Sequence, residues 1–415
     1  MSAAARPVSD STTQARAEPQ PSFLPYARQL IEADDVAAVT AALTSELLAQ
    51  GPRVAAFEAA VARTVGAAHG VACSSGTTAL QLALMALNVG AGDRVIAPSL
   101  TFLSTATAAR LCGAEMVFAD VDPLTGLMTA DTLSQALARA DGPVRGALPV
   151  HLGGRMADMP ALAGVANAAG TVLIEDGAHA LGSSDPTAGA AGACRFSVAA
   201  TFSFHPVKTI ACGEGGMVTT NDPALASRMA RLRNHGVTRE AGLVLDPALS
   251  LDAAGEANPW SYEQLELGLN ARMTDLEAAL GLSQLKKLDR FAARRRALSG
   301  AYDRLLAPLA PLVTPVAAPA AQTPCPHLHQ VLIDFDGAGL SRAEVMRRLA
   351  AQGIGTQVHY IPVHRQPYFV GRYGVQSLPG ADAFYARTLS LPLFPAMDDA
   401  DPARVAAALI GALGG

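Results

Sequence analysis

The sequence has 415 residues, of which 50% are hydrophobic, 16% charged and 5% aromatic. At about 100–200 residues per domain, this length predicts two or three domains with mainly aliphatic cores. The 31 basic and 36 acidic residues give a net charge of −5, which argues against a nucleic-acid-binding protein and a polybasic membrane anchor. The five cysteines include no CxxC pair, so we expect neither a disulfide framework nor a zinc ribbon.

The chain begins with 22 residues rich in Ala, Ser, Pro and Gln, for which we expect a disordered tail. They lack the apolar stretch of a secretion signal. No run elsewhere has the length and apolar purity of a membrane span. These features predict a cytoplasmic protein without a membrane partner.

Short apolar runs alternate with helical patterns between residues 70 and 235. The predicted strands are Gly70–Cys73, Arg94–Ser99, Met116–Asp122, Gly146–Leu152, Thr171–Asp176, Ala199–His205 and Gly216–Asn221. The predicted helices are Thr77–Val89, Leu103–Cys112, Ala130–Ala140, Met159–Ala169 and one that runs from Asp222 to Arg233. This alternation indicates βαβ units around a mostly parallel sheet, and the continuous apolar strands indicate helices on both faces.

Residues 239–262 are rich in Gly, Pro, Asp and Asn and are expected to be irregular. Thr274 and Glu277 then form a capping-box signature that opens one long predicted helix. The apolar face of that helix repeats at steps of three and four residues, at Leu282, Leu285, Leu288 and Ala292.

The last part of the chain predicts a smaller α/β domain. A proline-rich connector over residues 308–326 leads to a predicted strand at Leu328–Phe335. A helix from Ser341 to Gln352, a strand at Ile354–Ile361 and further helix follow. We therefore divide the chain into a tail (1–22), a large domain (23–275) and a small C-terminal domain (276–415).

The segment from Ser74 to Thr78 places small hydroxylic residues between a predicted strand and a predicted helix. Such a turn presents free backbone N–H groups at the positive end of a helix, where a phosphate group binds well. A capped helix without a ligand explains this motif equally well.

Asp176 ends one predicted buried strand, and Lys208 comes shortly after another. Ligands of open α/β sheets bind beyond the carboxyl ends of the strands, although an aspartate there also caps helices. Lys208 precedes a glycine-rich turn, and partial burial would lower its pKa and make its amine a nucleophile. An exposed turn lysine is the alternative reading of this residue.

The order of these three features favours a site for pyridoxal phosphate. This cofactor needs an anion site, a carboxylate that keeps its ring nitrogen protonated, and an amine that reacts with its aldehyde. Each motif alone is weak, but together they predict one site.

On these residues, the sequence resembles the sugar aminotransferases of the DegT/DnrJ/EryC1/StrS family. The resemblance implies an α/β protein of PLP-dependent aminotransferase fold type I, with a mostly parallel central sheet and a smaller C-terminal α/β domain. It runs from about Pro25 to the C terminus, and its main segments are SSGTTAL at 74–80, PSLTFLSTA at 98–106, IEDGAHALGS at 174–183, FSFHPVK at 202–208, GEGGMVTTND at 213–222, LRNHG at 232–236 and NARMTDLEAALGLSQL at 270–285.

The resemblance implies roles for the residues around the cofactor ring. Lys208 would bind the cofactor covalently and move the catalytic proton. Asp176 would pair with the pyridine nitrogen, and His179 would lie near the 3-hydroxyl group. Phe102 would stack on one face of the ring.

The same resemblance implies phosphate ligands at Gly76, Thr77, Thr78 and Ser203. Asn270 resembles the asparagine that reaches the phosphate of the neighbouring subunit. This position implies an obligatory homodimer with a shared active site.

Several segments resemble one branch more closely, the UDP-4-keto-sugar aminotransferases of pseudaminic acid biosynthesis. They are FSFHPVK at 202–208, Trp260–Gly268 and His359–Tyr368. This branch implies transfer of an amino group from L-glutamate to C4 of a UDP-linked 4-keto-6-deoxy-N-acetylhexosamine. An aminotransferase of the GDP-perosamine or UDP-4-amino-arabinose type and a non-catalytic regulator stay open as alternatives.

Two other enzyme classes are disfavoured. PLP-dependent sugar dehydratases have a histidine in place of Lys208, and a dinucleotide-binding GxGxxG does not follow the first predicted strand. No metal is expected either, because the histidines and Cys325 lack the spacing of a zinc protein. The histidines in question are His327, His329, His359 and His364. By resemblance, His359 and Tyr360 would lie near the sugar.

Overall fold

The computed structural model describes residues 23–414, so the tail predicted at 1–22 lies outside the described residues. The helices are α1 (Ala33–Leu43), α2 (Pro52–Val65), α3 (Gly76–Ala86), α4 (Leu103–Leu111), α5 (Ala130–Arg139), α6 (Met159–Ala168), α7 (Pro223–Leu232), α8 (Pro247–Ser250), α9 (Asp275–Leu285), α10 (Leu288–Leu306), α11 (Arg342–Ala351), α12 (Pro367–Tyr373), α13 (Pro379–Arg387) and α14 (Asp401–Ala412). The strands are β1 (His69–Cys73), β2 (Arg94–Pro98), β3 (Glu115–Ala119), β4 (Val144–Ala147), β5 (Val172–Asp176), β6 (Ser184–Asp185), β7 (Gly189–Ala190), β8 (Ala199–Ser203), β9 (Gly216–Thr220), β10 (Val237–Thr238), β11 (Glu263–Gln264), β12 (Val313–Pro315), β13 (His329–Ile333) and β14 (Thr388–Leu391).

Seven strands form the central sheet, in the order β1-β9-β8-β5-β4-β2-β3. The pairings from β8 through β5, β4 and β2 to β3 are parallel, and β9 runs antiparallel to both of its neighbours. The seven predicted strands all lie in this sheet. The predicted mostly parallel sheet and the α/β fold class are therefore confirmed.

Helices cover both faces of this sheet, as the continuous apolar strands predict. Val95 and Ala97 of β2 belong to the core that includes α3, α4 and α7. Ile96 points to the opposite face and belongs to the core formed with α5 and α6. Alternate side chains of one strand thus fill two cores. Because both faces of the sheet are covered, the ends of its strands are where a ligand can reach it.

The predicted helix starts are confirmed by side-chain caps. Asp222 accepts hydrogen bonds from the backbone N–H groups of Ala224 and Leu225, at 2.8 and 3.2 Å. Thr274 and Glu277 form the reciprocal capping box that opens α9. These local bonds satisfy N–H groups that have no partner inside the helix, so a short sequence pattern is sufficient to predict them.

The single long helix predicted after Thr274 is wrong, because α9 ends at Leu285 and α10 begins at Leu288. Lys287 lies at the break, and its ammonium group pairs with three carboxylates of the segment around α1. The Nζ–oxygen distances are 2.6 Å to Asp34, 2.8 Å to Asp35 and 3.2 Å to Glu32. The apolar repeat continues across the break, so it does not reveal where the helix ends.

The three-stranded sheet in the C-terminal part of the chain differs from the prediction. The strand predicted at Leu328–Phe335 is β13, which pairs with β12 and β14. The strand predicted at Ile354–Ile361 is wrong, because that segment makes only isolated bridges within the described residues. The third strand is β14, where helix was expected, and β12 lies inside the predicted connector. Residues 239–262 are mostly irregular, as predicted, apart from the single turn of α8 and a 3₁₀ turn.

Contacts between the two parts of the chain bring C-terminal elements close to the sheet. Phe369 of α12 and Phe384 of α13 belong to the same core as Phe118 of β3. The division of the chain at residue 275 stays a prediction. Among residues 23–414, every helix is too short or too polar to cross a membrane.

Candidate active site

A cavity of about 770 Å³ lies at the C-terminal ends of the parallel strands of the central sheet. It includes the last residues of β5 and β8, the N terminus of α3 and the C-terminal segment 357–361. The predicted site residues that line it are Gly76, Thr77, Phe102, Asp176, His179, Ser203 and Lys208. The fold therefore brings together residues that are up to 132 positions apart in the sequence, between Gly76 and Lys208.

The N terminus of α3 forms one end of the cavity. Gly76 and Thr77 are its first two residues, and their N–H groups have no acceptor inside the helix. Close approach makes this arrangement possible, because a Cβ atom on Gly76 would lie 2.7 Å from the Ser203 Cβ. One on Gly216 would lie 2.1 Å from the Ser75 carbonyl oxygen. Two amides and a serine hydroxyl thus converge in a pattern that fits a phosphate group.

Thr78 belongs to the cap of the same helix. Its backbone N–H donates to Ser75 Oγ at 3.2 Å, and its hydroxyl lies 2.8 Å from that oxygen. The Thr78 side chain is therefore engaged in the cap, and Thr78 is not part of the cavity wall. Its predicted contact with phosphate stays a prediction.

Asp176 is the last residue of β5 and is 4% exposed. Thr105 Oγ1 donates to Asp176 Oδ2 at 2.7 Å, and the Ala178 N–H donates to Oδ1 at 3.2 Å. These bonds hold the carboxylate at the cavity, and among residues 23–414 no cationic side chain is hydrogen-bonded to it. A protonated ring nitrogen of a ligand would complete this arrangement.

Lys208 lies on a turn at the floor of the cavity, where its N–H donates to the His205 carbonyl oxygen at 2.8 Å. Burial disfavours the charged amine and lowers the pKa of Lys208 to about 8, and the negative charge of Asp176 opposes this effect. At pH 7 about one tenth of such an amine is neutral, against about 0.03% for an ordinary lysine. The site thus supplies a nucleophilic amine.

His179 is bonded at both ring nitrogens. The Gly153 N–H donates to Nδ1 at 3.2 Å, and Nε2 lies 3.1 Å from the Tyr360 hydroxyl. Because Nδ1 accepts, the proton is on Nε2 and donates to Tyr360. Burial and the positive charge of Lys208 hold the pKa of His179 well below its usual range, so the ring is neutral.

The model of the DegT/DnrJ/EryC1/StrS aminotransferase family matches residues 29–410 of this chain. The chain belongs to this family. It is similar to the spore coat polysaccharide biosynthesis protein SpsC of Bacillus subtilis, with 38% identity over 384 residues, which are 91% of this chain and 94% of SpsC.

Solved structures agree with this assignment. The chain is similar to Helicobacter pylori PseC, an aminotransferase involved in pseudaminic acid biosynthesis, with a TM-score of 0.84 and 25% identity over 94% of this chain and 99% of PseC. It is also similar to DesI, solved in the presence of its TDP-sugar product, with a TM-score of 0.81 and 32% identity over 95% of this chain and 94% of DesI. The predicted fold type I, the PLP cofactor and the sugar aminotransferase activity are therefore confirmed.

Pyridoxal phosphate fits the residues present. The helix N terminus with Ser203 suits its phosphate group, Asp176 suits its ring nitrogen, and the Lys208 amine suits its aldehyde. Phe102 is 54% exposed at the cavity and has its ring centroid 5.7 Å from that of Tyr360. These four contributions come from one cavity, although the individual roles stay predictions.

Asn270, the residue expected to reach a neighbouring subunit, is exposed and lies outside the cavity. It pairs with Asn234 in an isolated β-bridge. The Asn270 side chain therefore does not contribute to the cavity of its own subunit. The shared active site stays a prediction.

The remaining histidines have separate surroundings. His327 and His359 are buried in the cavity wall. His329 lies beside Ser299, and His364 lies 2.5 Å from Ser99 Oγ. Two of the four histidines therefore share the cavity wall, and the other two lie elsewhere.

Several lining residues were not predicted from the sequence. They are Tyr26, Thr101, His205, Glu214 and Gln366. Thr105, which bonds to Asp176, was also missed. A hydroxyl that acts through a carboxylate 71 residues away leaves no local pattern. Thr101, Thr105, His205, Glu214 and Gln366 all lie in segments that carry the family resemblance, whereas Tyr26 does not.

Proposed function

We propose that this enzyme transfers the amino group of L-glutamate to C4 of a nucleotide-linked 4-keto-6-deoxy sugar. The sugar is a UDP-linked N-acetylhexosamine of the pseudaminic acid type. The single observation that carries the proposed chemistry is the placement of Lys208, Asp176 and the N terminus of α3 in one cavity. The three features have the chemistry that the cofactor requires.

The choice of substrate is supported by the relatives. PseC acts in pseudaminic acid biosynthesis, and its fold matches over 94% of this chain. DesI has a TDP-sugar product and SpsC is a spore coat polysaccharide biosynthesis protein, so sugar chemistry recurs among similar proteins. A cavity of about 770 Å³ is within the size range of sites for ligands larger than the cofactor alone.

The bound cofactor supplies an electron sink that stabilises negative charge on the substrate carbon. The chain provides a group that transfers protons and a negative charge beside the ring nitrogen. With the cofactor bound, the neutral Nζ of Lys208 would accept the proton from the substrate carbon and carry it as part of an ammonium group. Asp176, held by Thr105, stabilises a proton on the ring nitrogen.

Recognition of the phosphate and of the ring uses other residues. The amides of Gly76 and Thr77 and the hydroxyl of Ser203 bind the phosphate group, and Phe102 covers the ring. Asn270 would reach the phosphate of a second subunit, which makes the enzyme a homodimer with a shared site. Residues 23–275 would form the cofactor domain and 276–415 the small domain.

The test is incubation with L-glutamate and a panel of 4-keto sugars linked to UDP, GDP or dTDP, with mass detection of the amino product. We expect the UDP-linked N-acetylated sugar to give the highest kcat/KM. A higher value for a GDP-linked or dTDP-linked sugar would contradict the nucleotide assignment while leaving the reaction class intact.

Two variants test the chemistry. Lys208→Ala should abolish turnover and the borohydride-reducible chromophore, and retained turnover would refute its role. Asp176→Ala should keep some bound cofactor but lower the rate by orders of magnitude, since the ring nitrogen loses its anionic partner. A near-normal rate would argue against this electronic role.

A further inference from the structure

His327 is a buried histidine of the cavity wall that makes no side-chain hydrogen bond within residues 23–414. It is 2% exposed, and its Nδ1 atom is buried without a partner. Nε2 is not among the buried unpaired atoms, so it is the nitrogen with access to the cavity. Nε2 is therefore the ring nitrogen that can take a hydrogen-bond partner from a bound ligand.

The ring is held in place without the use of its nitrogens. The His327 N–H donates to the Gly153 carbonyl oxygen at 3.0 Å, and Arg295 Nη1 donates to the His327 carbonyl oxygen at 3.3 Å. The ring itself packs on His179, with centroids 4.4 Å apart. His179 is in turn fixed by the Gly153 N–H. His327 is therefore oriented before any ligand binds.

The surroundings also define the tautomer. A buried lone pair without a donor is tolerated better than a buried N–H without an acceptor, so Nδ1 is left bare and Nε2 carries the proton. Burial, with the nearby positive charge of Lys208, holds the pKa of His327 well below its usual range. The residue thus presents a neutral N–H donor to the cavity.

His179 does not offer such a donor, because Gly153 and Tyr360 occupy both of its nitrogens. Of these two stacked histidines, His327 is thus the one with a free N–H. Lys208 lines the same cavity, and its positive charge favours an anionic oxygen as the acceptor.

We propose that His327 is a ligand-binding residue whose Nε2–H donates a hydrogen bond to an anionic oxygen of the bound ligand. That oxygen is either the phenolic oxygen of the cofactor or a carboxylate oxygen of the amino donor. Because both molecules belong to the proposed reaction, this inference rests on the proposed function. His327 and Tyr360 would then flank His179 on the two sides of one polar wall.

The test compares His327→Gln with His327→Asn. The glutamine amide nitrogen reaches the position of Nε2, whereas the asparagine amide nitrogen reaches only that of Nδ1. We expect the affinity of the Gln variant for the ligand to stay within about threefold of that of the original protein. The Asn variant should lose about 10- to 100-fold in this affinity, which is the contribution of a hydrogen bond to a charged group. His327→Leu keeps the bulk without a donor and should match Asn.

Two measurements identify the acceptor. One is the cofactor dissociation constant, together with the pH midpoint of the holoenzyme absorbance without substrate. The other is the KM for L-glutamate in the first half-reaction. A loss in the first measurement identifies the phenolic oxygen, and a loss confined to the second identifies the carboxylate.

The proposal is overturned if Gln and Asn are equally impaired, which would indicate a packing role, or if Gln, Asn and Leu all match the original protein. If Asn fails to fold by circular dichroism, the comparison of Gln with Leu decides the question. Failure of the proposed function has a different signature, because the unmodified holoenzyme would then transfer no amino group to any 4-keto sugar.

Discussion

The reactivity of Lys208 is the property of the site that can be tested most directly. Its pKa of about 8 is about 2.5 units below that of an ordinary lysine, so the neutral amine is available at a correspondingly lower pH. Between pH 6.5 and 9.5 the neutral fraction rises about 30-fold for a pKa of 8, against about 900-fold for a pKa of 10.5. The rate at which Lys208 condenses with pyridoxal phosphate should therefore rise about 30-fold and level off above pH 8.

The assay mixes cofactor-free protein with excess pyridoxal phosphate in a stopped-flow instrument and follows the absorbance. Borohydride then traps the product for peptide mapping. The mapping is unambiguous, because the sequence holds only three lysines, Lys208, Lys286 and Lys287. Exposed Lys286 and the ion-paired Lys287 serve as internal controls in the same molecules.

The sign of the electrostatic contribution can be checked with Asp176→Asn. The negative charge of Asp176 raises the pKa of Lys208, so its removal should move the midpoint to a pH below 8. A midpoint near pH 10 in the original protein, or an upward shift in the variant, would refute the reasoning. Trapping at Lys286 but not at Lys208 would have the same consequence.

Three further substitutions test the surroundings of the site. Gly76→Ala should weaken cofactor binding at least about tenfold, because its methyl group would lie 2.7 Å from a neighbouring side chain. Gly164→Ala should leave cofactor binding unchanged, because a methyl group there would meet no other atom within 4 Å. Equal cofactor affinities of the two variants in a titration would contradict the steric argument. Thr105→Val should slow amino transfer about tenfold and Thr105→Ser should restore it, measured in single turnovers. Without recovery in the serine variant, the hydroxyl would not be the cause. Lys287→Met leaves the buried Asp35 carboxylate without its cationic partner and should lower the free energy of unfolding by about 3–5 kcal/mol in a denaturant titration. An equal loss in Lys286→Met would point to a cause other than the ion pairs.

The large domain was predictable because its signals are local. Strands of a parallel sheet are buried on both faces, so each appears as a continuous apolar run between helical patterns. Helix starts such as Asp222 and Thr274 carry their own capping side chains. Neither feature requires knowledge of distant residues.

The small domain was less predictable because two segments of similar composition have different partners. Ile354–Ile361 has the apolar and β-branched residues of a strand, yet residues 357–361 line the cavity. Thr388–Leu391 is a buried strand because β13 is available as its neighbour. Pairing across more than 50 residues decided between them.

The sequence by itself determined the chemistry that is available. It contains one lysine after a buried strand, one aspartate at a strand end and one turn of small residues, in an order that suits a single cofactor. Each feature also had an ordinary structural explanation. The choice between that explanation and a cofactor site depended on whether the three features meet in space.

Only the tertiary structure decided how these groups are tuned. The hydroxyl of Thr105 on Asp176, the desolvation of Lys208 and the unpaired ring of His327 all arise from residues that are distant in the chain. Hydrogen bonding and desolvation depend on the atoms within a few ångströms of a group. Those atoms are chosen by packing and not by sequence neighbourhood.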